Sequence, residues 1–203
     1  MGWFATALLG FGTGLSLIVA IGAQNAYVLR QGLRREHELP IALLCALADA
    51  ALICLGTLGI GALLKAAPVF FEVFRWGGVL FLMTYAALAV RRALRPESLK
   101  VEGAGERSLR AALVTAAALT FLNPHVYLDT MIFVGSVANQ HRDLRWVFAG
   151  GATLASFVWF FGLALGARRL TRFFARPVTW RILDLSVAAV MVAVAISLAT
   201  VRL

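Results

Sequence analysis

The sequence predicts an all-α integral membrane protein: six transmembrane helices arranged as two inverted three-helix repeats, with the first and fourth helices broken. Three observations lead there. Of 203 residues, 61% are hydrophobic and only 14% are charged, far from the balance of a soluble domain. The charges cluster between apolar runs that approach or exceed the ~20 residues needed to span a bilayer. A single long polar stretch, 91–110, divides the runs into three and three, and an odd number of spans makes the halves enter the membrane from opposite sides. The expected division is therefore a first repeat at 1–90, a cytoplasmic linker at 91–110 and a second repeat at 111–203.

The first span is read from Trp3 to Leu29. No Lys or Arg precedes Arg30, so the run lacks the positive start of a cleavable signal and is expected to be retained. The second runs from Leu39 to Leu64 with Asp49 inside it. The third runs from Val69 to Val90; Glu72 and Arg75 near its start are three residues apart and expected to pair. The fourth runs from Leu113 to Ala138, the fifth from Trp146 to Ala167 and the sixth from Ile182 to Val201. Asp184 in the sixth is expected to pair with Arg181. Gly10 and Gly14, and Gly162 and Gly166, have the small-xxx-small spacing that lets helices approach closely.

Orientation follows from the arginines. Arg30, Arg34 and Arg35 flank the first span, six Lys and Arg lie between Arg91 and Arg110, and Arg168, Arg169, Arg172, Arg176 and Arg181 lie between the fifth and sixth. The other connections carry few. The positive-inside rule places the basic connections in the cytoplasm and both termini outside. The formal charge of +9 thus belongs to a membrane surface, and no basic helix interleaved with aromatics suggests nucleic acid. Cys45 and Cys54 are nine residues apart, on opposite helix faces, and are expected to be unpaired packing residues. No cofactor or metal is expected.

Two polar interruptions fall in the first span of each half. In "LTFLNPHVYLDTM", Leu119 to Met131, Asn123 is a good helix cap and Pro124 suits a first helical position. A half-helix starting there would aim its N–H groups and dipole inward, toward a carboxylate; a bare proline kink is the alternative. The other interruption is Gly22-Ala23-Gln24-Asn25. Asn25 is expected to cap a short second helix; Gln24 and Asn25 either line a site or bond neighbouring helices. An ionised Asp49 at mid-span costs about 2.5–3.5 kcal/mol and should face a cavity or a partner. Asp129 lies about one turn past the second interruption. Two such acids could flank one site, bind a cationic side chain and take up protons. His125 is either a proton relay or a neutral hydrogen-bond donor, and Tyr27 and Tyr127 could stack on a cation. Internally, "AQNAYVL" lies over "NPHVYLD", and the stretch from Leu47 lies over that from Leu154, setting Asp49 opposite Ser156.

The stretches "GAQNAYVLRQG", "LCALADAALIC" and "LNPHVYLDT", together with "FVWFFGLALGARRL", resemble the LysE superfamily, specifically its lysine/arginine exporter branch, over nearly the whole chain. The resemblance implies an inner-membrane exporter of lysine, arginine or both, driven by the proton-motive force, with Asp49 and Asp129 as functional acids. Members often carry Pro where Ala23 stands, which implies a softer first break here. The expected substrate-binding set is Gln24, Asn25, Asp49, Asn123, Pro124, His125, Tyr127 and Asp129, with Asp49, Asp129 and His125 coupling to protons. The expected partners are a basic amino acid, protons and the lipid bilayer, with homo-oligomerisation left open. Export of a neutral amino acid or a metal cation is the rival within transport. A membrane-embedded enzyme is the rival outside it, although no nucleophile accompanies His125 and Asp129.

Overall fold

The computed structural model describes residues 2–19, 22–59, 68–94, 108–170 and 177–200. Most of the polar 91–110 stretch lies outside the described residues. What is described is helical, with no strand among the described residues. The helices are α1 (Trp3–Ile18), α2 (Ala23–Arg34), α3 (Glu38–Thr57), α4 (Pro68–Leu94), α5 (Leu109–Phe121), α6 (Pro124–Val126), α7 (Val134–Gln140), α8 (Arg145–Leu170) and α9 (Pro177–Thr200). A wide π-helical stretch, Tyr127–Phe133, joins α6 to α7.

Three stretches, Glu38–Thr57, Arg142–Arg169 and Val178–Thr200, are long and apolar enough to cross a membrane, and α1 with α2 forms a fourth candidate bent by 85°. Away from their ends, most of their exposed side chains are apolar, among them Leu43, Leu47 and Leu55 on α3, Leu154, Val158 and Leu165 on α8, and Ile182, Leu185 and Ile196 on α9. Such surfaces are at home in lipid, not in water.

The pairing of helices is regular. Helix α3 packs on α8, and α4 and α9 pack on each other. The interrupted stretches lie on the first pair: α1 and α2 on α8, and α5, the π stretch and α7 on α3. Glycine permits the closest of these approaches. A Cβ at Gly10 would stand 2.1 Å from Phe148 O, and one at Gly14 would stand 3.0 Å from Ala152. Gly162 and Gly166 differ from expectation, because a Cβ at either meets nothing within 4 Å among the described residues. Spacing marks a smooth stripe on a helix without saying whether a neighbour covers it. Gly10→Val is therefore expected to cost about 1–3 kcal/mol through forced separation of α1 from α8. Gly162→Ala should leave thermal unfolding in detergent unchanged or raise it slightly.

The basic segment after the first span is not a loop. Helix α2 runs to Arg34 with Arg30, Gln31, Gly32 and Leu33 buried. Left-handed conformations at Arg35 (φ 56°) and His37 (φ 54°) then turn the chain directly into α3. Cys45 is buried and Cys54 exposed, as their spacing requires.

Candidate solute-binding site

The second interruption forms as its residues dictate. Helix α5 stops at Phe121, and Asn123 Oδ1 accepts the His125 backbone N–H at 3.2 Å. The Val126 N–H turns back to Asn123 O at 3.1 Å. Pro124 has no N–H to continue the ladder, and the Phe121 carbonyl, deprived of His125, accepts the Tyr127 hydroxyl at 3.0 Å. Tyr127 thereby closes the gap that Pro124 opens. Downstream, the Val134 N–H reaches back five residues to Asp129 O, the bond that defines a π turn, a device frequent at functional sites.

The π stretch decides where Asp129 points. Tyr127 and Met131 are buried against Leu52 of α3. Asp129, midway between them in sequence, turns to the other side and is exposed. Its charged neighbour is His125, one turn earlier.

The first interruption lies between Ile18 and Ala23. Gly22, with extended backbone (φ −116°, ψ 175°), caps α2. Asn25 is not the cap, contrary to the reading from sequence; it sits in the first turn of α2 and ties the break together. Its Nδ2 donates to Ile18 O at 2.6 Å, satisfying an end carbonyl of α1, and its Oδ1 accepts from Trp159 Nε1 on α8 at 3.2 Å. Glycine is the better hinge residue, since its backbone is freest at a sharp bend. Tyr27 of α2 is buried, with its hydroxyl on Ala112 O of α5 at 3.2 Å and its ring edge-on to Tyr85 at 6.0 Å.

Asp49 occupies the middle of α3 and is only 4% exposed. Ser156 Oγ of α8 donates to Asp49 Oδ2 at 2.6 Å, the separation of a hydroxyl on a carboxylate. Cys45, one turn before Asp49, has the Gln24 and Thr120 side chains as neighbours. Gln24 Nε2 is buried and faces the Cys45 thiol. Side chains from α2, α3, α5 and α8 therefore converge here: an acceptor at Asp49, an amide at Gln24 against the Cys45 thiol, and hydroxyls at Ser156 and Thr120.

Of the residues singled out in sequence, the structure groups Gln24 with Asp49 through Cys45. It groups Asn123, His125, Tyr127 and Asp129 along the second break. No hydrogen bond or ion pair joins the two acids among the described residues. No trio of His, Cys, Asp or Glu suited to a metal occurs among them either. Two ion pairs escaped the sequence reading, one buried and one joining a buried Glu38 to an exposed Arg168. Asp184 pairs not with Arg181 but with Arg30, Nε to Oδ1 3.0 Å. Glu38, 6% exposed, accepts from Arg168 Nε at 3.0 Å. Glu72 and Arg75 do pair, at 2.8 Å. The missed partners were taken for loop charges, and the available signal was that each acid lies at the same membrane level as a cluster of arginines.

The comparisons with known proteins place the chain among translocators. The LysE type translocator family matches residues 15–202. The arginine exporter protein ArgO of Yersinia enterocolitica is 43% identical over 197 residues, 96% of each chain. Two proteins that bear the name "Putative amino-acid transporter" are also similar. Rv0488 of Mycobacterium tuberculosis is 50% identical over 90% of each chain, and YggA of Aeromonas salmonicida is 41% identical over 97% of each. No solved structure matches the chain. A multi-pass helical chain with polar groups at two helix interruptions, matched along almost all its length, belongs to the LysE type translocator family.

Proposed function

We propose that the protein is a secondary-active exporter of basic L-amino acids, arginine or lysine, that exchanges its cargo for protons across the cytoplasmic membrane. The observation that carries this reading is the buried Asp49 at the meeting point of four helices, with the Gln24 amide one turn away beside Cys45. A buried carboxylate in a membrane protein costs enough to require a task, and a cationic side chain is a fitting partner. The relative named as an arginine exporter supports the choice of cargo.

Asp49 takes the ammonium or guanidinium in this reading, and Ser156 holds the carboxylate in place when the cation is absent. The α-carboxylate is received by Gln24 and by the His125 N–H, once it replaces Asn123 Oδ1 as acceptor. Asn25 and Tyr127 keep the two breaks in shape. Asp129, with His125 one turn before it, is the second carboxylate of the site and, like Asp49, takes either a proton or the cationic end. A cation leaving a cell works against about 2.3 kcal/mol per charge per 100 mV, so export requires such coupling. A carboxylate that binds either a proton or the cargo, never both, provides it.

We read the architecture as two inverted repeats, 1–90 and 111–203, joined by the 91–110 linker, with the basic connections in the cytoplasm and both termini outside. Support comes from the cross-half packing of α3 on α8 and α4 on α9, and from the bond between Asp49 and Ser156. The internal alignment sets those two residues opposite each other, and two-fold-related residues near an axis do meet.

Proteoliposome counterflow with labelled arginine, lysine and leucine, with and without a pH gradient, tests the function. Arginine or lysine should exchange and leucine should not, with uphill export requiring the gradient. Asp129→Asn should abolish uphill export; retained proton-dependent efflux would remove Asp129 from the mechanism.

A further inference from the structure

The two ion pairs noted above, one fully buried and one with a buried Glu38 but an Arg168 side chain 42% exposed, join residues before 95 to residues after 107, and both lie at the same end of the bundle. Arg30 of α2 meets Asp184 of α9, their side chains 3% and 8% exposed. Glu38 at the start of α3 meets Arg168 near the end of α8. This is the end that carries the arginine-rich connections. At the opposite end, the side-chain hydrogen bonds across the bundle among the described residues go to backbone carbonyls, Arg75 Nη2 to Ala199 O at 3.0 Å and Asn139 Nδ2 to Gly56 O at 3.3 Å. From Glu38 to Asp49 is about 16 Å along an α-helix, with Cys45 between them. The two ion pairs therefore sit between the basic end and the Asp49 site.

Stability alone is a weak reason for them. A buried ion pair often does no better than well-packed apolar side chains, and its best-attested use is to fix a register or a switch. Each pair here couples a guanidinium to a carboxylate, which is the same chemistry by which Asp49 would hold an arginine side chain. We propose that Arg30–Asp184 and Glu38–Arg168 form the inner gate, and that a cationic solute opens it by taking over Asp184 and Glu38 from the protein's own guanidinium groups. Arg30 and Arg168 thus act as internal stand-ins for the cargo. A neutral amino acid cannot replace them, because it would leave two buried carboxylates unpaired, so the gate selects for charge before the solute reaches Asp49. The trigger rests on the proposed cargo; the gate itself can be tested without it.

The native thiols supply the assay. Exposed Cys54 is replaced, Cys54→Ser, leaving Cys45 beside Asp49 as the sole thiol. A membrane-impermeant maleimide is applied to vesicles of either orientation containing the full chain. Labelling should be slow in this background. It should quicken at least about tenfold, from one face only, when Arg30→Gln and Arg168→Gln are combined. The charge exchange Arg30→Asp with Asp184→Arg should slow it again. Arg30→Lys and Arg168→Lys provide milder variants if the glutamines do not fold, and a thermal unfolding scan qualifies each protein. Unchanged labelling in folded variants would overturn the gate, as would an equal rise from both faces, which is what a loosened bundle gives. Arginine counterflow on the same vesicles reads the cargo separately. Counterflow with unmoved labelling sinks the gate alone; a one-sided rise without counterflow sinks the cargo and the trigger but keeps the gate.

Discussion

Replacing Asp49 by Asn is expected to cut arginine counterflow by about a hundredfold or more, from the loss of the buried charge opposite a desolvated cation. The change is nearly isosteric. Ser156 Oγ, now 2.6 Å from Asp49 Oδ2, can donate equally well to an amide oxygen, so the bridge from α3 to α8 persists and the protein should unfold near the wild-type temperature. Counterflow in proteoliposomes, paired with a thermal scan, separates the two effects. Ser156→Ala is the informative companion: it removes the hydroxyl but leaves the charge, so cargo binding should survive it far better than it survives Asp49→Asn. If Asp49→Asn still exports arginine uphill, the central acid is not where the cation sits.

Gly56→Leu is expected to have the largest effect on folding. A Cβ at Gly56 would stand 2.1 Å from Met131 O, and one at Gly135 would stand 2.5–2.6 Å from the Gly56 backbone. Both obstacles are main chain, which cannot rotate aside. α3 and the segment after the second break would have to separate, costing about 1–3 kcal/mol or more. Met131 belongs to the π stretch that carries Asp129, so even a variant that folds would misplace that acid. Size-exclusion profiles and thermal scans in detergent should show Gly56→Leu lost or strongly destabilised, with Gly56→Ala intermediate. A wild-type melting temperature for Gly56→Leu would mean that this contact is not as close as described.

The parts of the molecule that were legible in sequence are the ones set by neighbours along the chain. Asn123-Pro124 ends one helix and begins another through a missing N–H and a side-chain cap, and that chemistry needs no tertiary partner. The apolar runs near α3, α4, α8 and α9 were legible for the same reason. Asp129 was not. An α-helical reading counts faces in steps of 100°, whereas the π turn at Tyr127–Phe133 widens the helix, and only the packing of Tyr127 and Met131 on Leu52 fixes which side Asp129 takes. Arg30 and Asp184 were illegible because a charge near a span's end looks the same whether it faces water or a partner from the other half. Gly162 and Gly166 erred in the opposite direction: the pattern was present and the neighbour was not.

One bond within the first break constrains how the molecule can work. Asn25 is held on one side by Ile18 O and on the other by the Trp159 indole of the C-terminal half. The bend between α1 and α2 is thus not a free joint, because α8 grips its elbow. Rotating α2 must either drag α8 along or break the Asn25–Trp159 bond, so the two helices are geared to each other at the elbow.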